Sequence, residues 1–328
     1  MKYLLLVTFF LANFVSGLSA NPALPGLTNF IDEMEQEHGF DPGKLTQLFS
    51  DVEVKDAILK AISRPAEKSK PWYEYRNIFI QEKRIKGGVK FWQQYQQALQ
   101  QAEQQYGVPA EIIIAILGVE TRYGGNMGRY RVIDALSTLA FRYPPRSKFF
   151  RSELKHFLLL TREEKIPLLE PIGSYAGAMG LGQFMPSSYR EYAVDFDGDG
   201  KRDIWTNPVD AIGSIANYIK RHGWISGETI AHQTSLSASV PKELLEKGYK
   251  PSLSREELAA AGVSLEGVPG GNDKLALISL TQKGGEEYWI VRQNFYSITR
   301  YNHSRMYAMT VKQLADLIRD RYEQQLND

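Results

Sequence analysis

The sequence predicts an α+β fold that is mainly α-helical, with a small antiparallel β part near the C-terminus, and three observations carry that expectation. Apolar residues recur at helical spacing through most of the first two thirds of the chain. After Trp224, Ser, Thr, Gly and Pro become frequent, and helical periodicity fades until it returns in the stretch from Val311 to Gln325. Between Trp224 and Val311, Lys274 to Leu280 and Glu287 to Val291 are short β-rich runs. They are separated by Thr281-Gln-Lys-Gly-Gly285, the pattern of a hairpin.

The first element is a leader. Lys2 precedes an apolar run from Tyr3 to Val15, and the small residues Ser16, Gly17, Ser19 and Ala20 follow. The run falls well short of the ~20 residues a spanning helix needs, so residues 1–20 read as a cleavable export signal cut after Ala20. An uncleaved anchor is the alternative. No later stretch approaches a span, because even the run Ile112 to Val119 is interrupted by Glu120. The mature chain is expected to be soluble, exported and without a transmembrane helix.

Helices follow. Phe30, Ile31 and Met34 lie on one helical face closed by Gly39, and Asp41-Pro42 reads as an N-cap followed by a first-turn proline leading to Leu45, Leu48 and Phe49. From Val89 to Tyr106 a single helix is expected, with Trp92, Tyr95, Leu99, Ala102 and Tyr106 along its packed face and Gln93, Gln94, Gln96, Gln97, Gln100 and Gln101 facing solvent. Residues 21–105 therefore read as an N-terminal helical domain and 106–230 as a core. Residues 231–295 form the small β domain, and 296–328 a closing segment with the last helix. No solenoid repeat and no long polar linker divides them.

Composition narrows the chemistry. The balance of 39 Lys and Arg against 38 Asp and Glu leaves a net charge of +1, with none of the basic excess that nucleic-acid binding usually requires. Zero cysteines exclude disulfides, Cys-ligated zinc, iron–sulfur clusters and thiol nucleophiles. His38, His156, His222, His232 and His303 show no metal-binding spacing. Catalysis must come from carboxylates, hydroxyls, His or Lys. Arg142-Tyr-Pro-Pro-Arg-Ser-Lys148 is a short basic segment that reads first as a solvated loop, with contact to an anionic polymer as the alternative.

The candidate chemistry begins at Pro109. Ile112, Ile113, Ile114, Ala115, Ile116 and Leu117 make the following helix apolar on every side, which only a buried helix tolerates. Glu120 falls in its last turn, just before Gly124-Gly125. Apolar surroundings and the negative end of the helix dipole both disfavour a carboxylate there and favour a protonated acid. Arg122 is placed to oppose this, and a structural Glu120–Arg122 pair is the alternative reading.

A second segment, Gly173-Ser-Tyr-Ala-Gly-Ala-Met-Gly-Leu-Gly-Gln-Phe-Met-Pro-Ser-Ser-Tyr189, is rich in glycines that let backbone approach a ligand or another strand closely. It has no P-loop Lys-Ser/Thr and no nucleophile elbow. A third, Asp195-Phe-Asp197-Gly-Asp199-Gly-Lys201-Arg-Asp203, places carboxylates and a glycine as an EF-hand calcium loop does, with Thr206 where the closing Glu would stand.

Together, Tyr-Gly-Val-Pro at 106–109, Gly-Val-Glu-Thr-x-Tyr-Gly at 118–124, the glycine-rich segment at 173–189 and Arg-Tyr-Asn-x-Ser-x-x-Tyr at 300–307 closely resemble the lytic murein transglycosylase B family. The resemblance spans nearly the whole mature chain, including Phe91-Trp92. It implies a lysozyme-like core and cleavage of the β-1,4 bond between N-acetylmuramic acid and N-acetylglucosamine in peptidoglycan glycan strands, leaving a 1,6-anhydromuramoyl end. It also implies periplasmic action. By that resemblance Glu120 is the single acid and then base, while Ser174, Gln183, Phe184, Tyr218, Tyr301, Asn302 and Tyr307 border the groove as hydrogen-bond partners or sugar-stacking surfaces.

It further implies that the acidic loop runs long, over 195–210, with Asp210 closing it and Lys201 giving its backbone carbonyl. The metal set is then Asp195, Asp197, Asp199, Lys201 and Asp210, holding a structural Ca2+ with no organic cofactor. Many relatives are lipoproteins with a Cys after a Leu-Ser-Ala-like box. Here Leu18-Ser19-Ala20 is followed by Asn21, so an unlipidated protein is expected; separately, a monomer is expected. Asp134 or Glu170 as a second carboxylate would give a lysozyme-type hydrolase instead. A catalytically idle peptidoglycan-binding protein is the other alternative.

Overall fold

Gly39 and Asp41 end and start the first two helices as the sequence indicates. Helix α1 (Leu27–His38) closes on Gly39 in the left-handed conformation, and α2 (Pro42–Ser50) opens with the Asp41 carboxylate accepting the Lys44 amide at 2.9 Å. In this computed structural model residues 24–63, 70–237 and 242–327 are described. The expected export signal, its cleavage point and Asn21 lie outside them.

The chain continues through α3 (Asp56–Ile62), α4 (Trp72–Phe79), α5 (Glu82–Gln94), α6 (Gln96–Tyr106) and α7 (Ala110–Thr121). A two-stranded antiparallel ribbon, β1 (Tyr130–Arg131) with β2 (Ile172–Gly173), encloses α8 (Val132–Arg142) and α9 (Ser147–Glu163). Then come α10 (Pro186–Tyr192) and α11 (Pro208–Arg221). The C-terminal third holds β3 (Ala231–Thr234), α12 (Lys242–Glu246), α13 (Arg255–Ala260), β4 (Ala276–Gln282), β5 (Gly285–Val291), α14 (Gln293–Thr299) and α15 (Arg305–Asn327).

Helix α7 is the axis of the core. Ile113, Ile114, Ala115, Ile116 and Leu117 are all 0% exposed, and each large aliphatic side chain so buried contributes about 1.5–3 kcal/mol. Helices α5, α6, α11 and α15 pack around it. The same apolar cluster takes in α1 to α4, whereas a second, smaller cluster of Leu253, Leu258, Val263, Val268, Leu275, Leu277 and Ile290 lies beneath the sheet.

The expected hairpin is present, with a tighter turn than the sequence indicated. Gln282 pairs with Gly285, so only Lys283 and Gly284 turn the chain, and β3 joins on the other side of β5 to give the order β3-β5-β4.

The single helix expected from Val89 to Tyr106 is two. Tyr95 leaves the helical region (φ −119°, ψ 27°), which separates α5 from α6. The cause is packing: α5 is applied to α7 and α15, with Trp92 stacked on Tyr322 at 4.4 Å, while α6 turns to α11. One straight rod could not serve both. The Gln-rich face is exposed as expected. Among the described residues no helix is long and apolar enough to cross a membrane.

Candidate active site

Glu120 occupies the last turn of the buried helix, half-buried, where the chain leaves α7 through two consecutive left-handed residues, Arg122 (φ 55°) and Tyr123 (φ 61°). The second of these folds Tyr123 back beneath the helix, where its hydroxyl donates to the Arg84 carbonyl at 2.8 Å. A Cβ on Gly118 would stand 2.6 Å from that hydroxyl oxygen, so the glycine inside an otherwise aliphatic helix makes room for the tyrosine. Arg122 is exposed.

From the far end of the sequence Tyr307, 2% exposed at the start of α15, donates its hydroxyl to Glu120 Oε1 at 2.6 Å. Tyr301 stacks parallel to Tyr307 with ring centroids 6.5 Å apart, and Tyr218 and Phe184 continue the aromatic wall at 4.8 and 5.8 Å from Tyr301. The hydroxyls of this wall are spent on protein carbonyls: Tyr301 donates to Gly182 and Tyr218 to Arg300, each at 2.6 Å. Both hydroxyl protons are thus used within the protein. Burial first, and then the charge of Glu120, hold the Tyr301 and Tyr307 phenols well above their ordinary range, so both stay neutral donors.

The glycine-rich segment adjoins this wall, giving it Phe184 and accepting the Tyr301 hydroxyl at Gly182. Gly173, in β2, pairs with Tyr130, and a Cβ on Gly128 would lie 2.0 Å from the Gly173 carbonyl oxygen, so the two backbones touch directly. Ser174 Oγ accepts the Ala176 and Ala178 amides at 3.3 and 3.1 Å, which leaves its own proton to donate. Gln183 sits at φ 53°, a strained conformation for a residue with a side chain. Its amide nitrogen donates to the Met127 and Gly180 carbonyls at 3.3 and 3.0 Å, clamping the loop that follows Glu120. Asn302 is exposed beside Tyr301. Left-handed Arg122, Tyr123 and Gln183 were not legible in the sequence; Gly118 was the one local signal for Tyr123.

Of the two alternative second carboxylates, Asp134 is 2% exposed and engaged by Arg131 Nε at 2.7 Å and by the Glu53 amide at 3.0 Å. Glu170 is exposed and lines a separate cavity of about 460 Å³ with Trp205 and Ile172.

The acidic loop brings Asp195, Asp197 and Asp210 together, with ligand oxygens all within 4.8 Å of one another. Asp199 stands outside that set, its Oδ1 accepting the Lys201 amide at 2.9 Å, and Lys201 is exposed next to it. Asp210, 0% exposed, accepts the Phe196 amide at 2.7 Å and the Asp203 amide at 2.8 Å, tying both ends of the loop. Burial, and then the charges of Asp197 and Asp195, push its carboxyl up against these opposing hydrogen bonds. Converging hard oxygens on a loop turned by left-handed Gly198 and Gly200 fit a calcium ion.

A buried helix with a glutamate in its last turn, beside an aromatic wall and a glycine-rich loop, defines a lysozyme-like glycan-cleaving fold. Residues 23–316 match the family described as Transglycosylase SLT domain, and the chain belongs to that family of lysozyme-like lytic transglycosylases. Membrane-bound lytic murein transglycosylase B of Escherichia coli K12 is 46% identical over 303 residues, 90% of this chain and 82% of that protein. The structure of catenated lytic transglycosylase SltB1 from Pseudomonas aeruginosa superposes with a TM-score of 0.87 at 51% identity, over 91% of this chain and 98% of that one. Escherichia coli lytic transglycosylase Slt35, solved in complex with calcium, superposes with a TM-score of 0.83 at 44% identity, over 91% and 94% of the two chains.

Proposed function

We propose that Glu120 is the single acid–base residue with which this lytic transglycosylase cleaves the β-1,4 bond between N-acetylmuramic acid and N-acetylglucosamine. The observation that carries this is the one carboxylate at the end of a buried helix, gripped by Tyr307 at 2.6 Å inside the aromatic wall. Glu120 gives its proton to the departing glycosidic oxygen as the bond to the anomeric carbon breaks. The substrate's own 2-acetamido oxygen closes on that carbon, so no second carboxylate is needed. The Glu120 carboxylate then takes the proton of the muramoyl O6 as O6 attacks the same carbon and releases the acetamido group. The result is the 1,6-anhydro ring, and the enzyme is returned protonated.

Ser174 and Gln183 hold the sugar from the glycine-rich side, Asn302 from the rim, and Phe184, Tyr218, Tyr301 and Tyr307 shape the wall. Asp195, Asp197 and Asp210, with the neighbouring Asp199 and the Lys201 backbone, hold a structural Ca2+. When bound, the ion neutralises the loop's charge and pins its turn. Residues 1–20 direct export to the periplasm, where the chain acts unlipidated and as a monomer on glycan strands. Of the division into helical domain 21–105, core 106–230, β domain 231–295 and closing segment 296–328, the separate apolar cluster beneath the sheet supports setting the β domain apart, while one continuous cluster joins the other three.

Digestion of murein sacculi tests the reading. The protein releases anhydromuropeptides identified by mass, and Glu120→Gln abolishes release while keeping the native circular dichroism spectrum. Reducing-end muropeptides would mean hydrolysis, and no release would mean binding alone.

A further inference from the structure

Thr121, the residue after Glu120, is 0% exposed. A buried helical threonine ordinarily returns its hydroxyl to its own helix one turn back. Here the carbonyl of Leu117 lies at 3.3 Å, whereas the Leu181 carbonyl in the glycine-rich segment lies at 2.8 Å and takes the better bond. The same oxygen accepts the Gly124 amide at 3.0 Å, so one hydroxyl closes the turn behind Glu120 and fastens it to another segment.

The line continues. The Leu181 amide donates to the Ile204 carbonyl at 2.9 Å, and the adjoining Asp203 amide donates to Asp210 at 2.8 Å. Gly180 permits this approach, since a Cβ there would lie 2.5 Å from the Ile204 oxygen. A clamp is required at this point because the helix ends on two left-handed residues, Arg122 and Tyr123, a conformation held only where its surroundings enforce it.

We infer that Thr121 is a positioning residue, fixing the Glu120 carboxylate relative to the glycan by anchoring the helix end to Leu181 and, through Ile204, to the acidic loop. This rests on Glu120 being the acid. A proton donor displaced by about 1 Å loses roughly 10²-fold in rate, and the hydroxyl is the polar tie from Thr121 to the glycine-rich segment.

The experiment compares Thr121→Val, which keeps the shape and removes the hydroxyl, with Thr121→Ser, which keeps the hydroxyl. Steady-state rates on isolated glycan strands, thermal melts and amide hydrogen exchange are measured on the full chain. Thr121→Val is expected to lower kcat by about 10²-fold with KM within about twofold of the parent. Its Arg122, Tyr123 and Gly124 amides are expected to exchange faster while the rest of α7 is unchanged, and Thr121→Ser restores both readouts. Wild-type kcat in Thr121→Val, equal impairment of the two variants, or unaltered exchange at the helix end would each overturn the inference. A silent parent protein would instead refute the assignment of Glu120, and the exchange comparison would still decide whether the clamp exists.

Discussion

The Tyr307 hydroxyl donates to Glu120 Oε1 at 2.6 Å although 187 positions separate the two residues in the chain. Tyr307→Phe removes this donor without changing the volume of a side chain that is 2% exposed. A hydrogen bond to a charged group is worth about 1.5–3 kcal/mol. Loss of about 10- to 100-fold in kcat is therefore expected, with the fold retained. Initial rates of anhydromuropeptide release, set beside thermal melts, check it. A variant as fast as the parent would mean that the contact orients nothing.

Gly180 combines a left-handed backbone (φ +67°) with a backbone oxygen 2.5 Å from where a Cβ would stand. Gly180→Ala is expected to destabilise the protein by about 1–3 kcal/mol, from overpacking and backbone strain together. Urea unfolding monitored by tryptophan fluorescence measures this; an unchanged midpoint contradicts the tight packing.

Calcium should act on stability through Asp195, Asp197 and Asp210. At a hundredfold excess over its dissociation constant a ligand adds about 2.7 kcal/mol, which for a chain of this size raises Tm by roughly 4 °C. Asp197→Asn removes one of the three carboxylates from the exposed side of the loop and should erase most of that increment. Differential scanning calorimetry with calcium and with chelator reads both effects. A Tm indifferent to calcium in the parent protein refutes the site.

His156 links stability to acid. Arg190 Nη1 donates to His156 Nδ1 at 2.8 Å, which requires that nitrogen to be unprotonated. Burial first, then the neighbouring Arg190 charge, hold the imidazole below its ordinary value of 6.5, against the opposing pull of Glu153. The unfolded chain therefore binds the proton more readily. The stability this contact supplies is complete above the ordinary imidazole value and is lost as pH falls below it. Thermal melts across pH 5–8 should show His156→Gln with a shallower decline on the acid side than the parent; parallel curves would refute the linkage.

The sequence disclosed what depends on local punctuation. Gly39, Asp41 and Pro42 end and start helices by their own backbone and capping preferences, and the aliphatic run 112–117 could only be an interior helix. The break at Tyr95 was hidden because the residues on either side keep helical spacing and diverge only in what they pack against. The pairing of Glu120 with Tyr307 was likewise beyond local inference. Resemblance placed both residues at the groove, and their mutual hydrogen bond came from the fold. In the acidic loop, spacing nominated Asp195, Asp197 and Asp199, while Asp210 enters from the first turn of α11, beyond the reach of a contiguous pattern.

The late position of Tyr307 has a consequence for how the activity comes into being. Synthesis delivers Glu120 long before the residues that grip it, so a nascent or clipped chain lacking α15 carries its acid without the partner that aims it. On the proposed role of Glu120, activity would therefore arise only once α15 has been made. Trimming the last helix would remove Tyr307 from the aromatic wall together with Tyr322, which stacks on Trp92, and on the proposed role of Glu120 would disarm the enzyme.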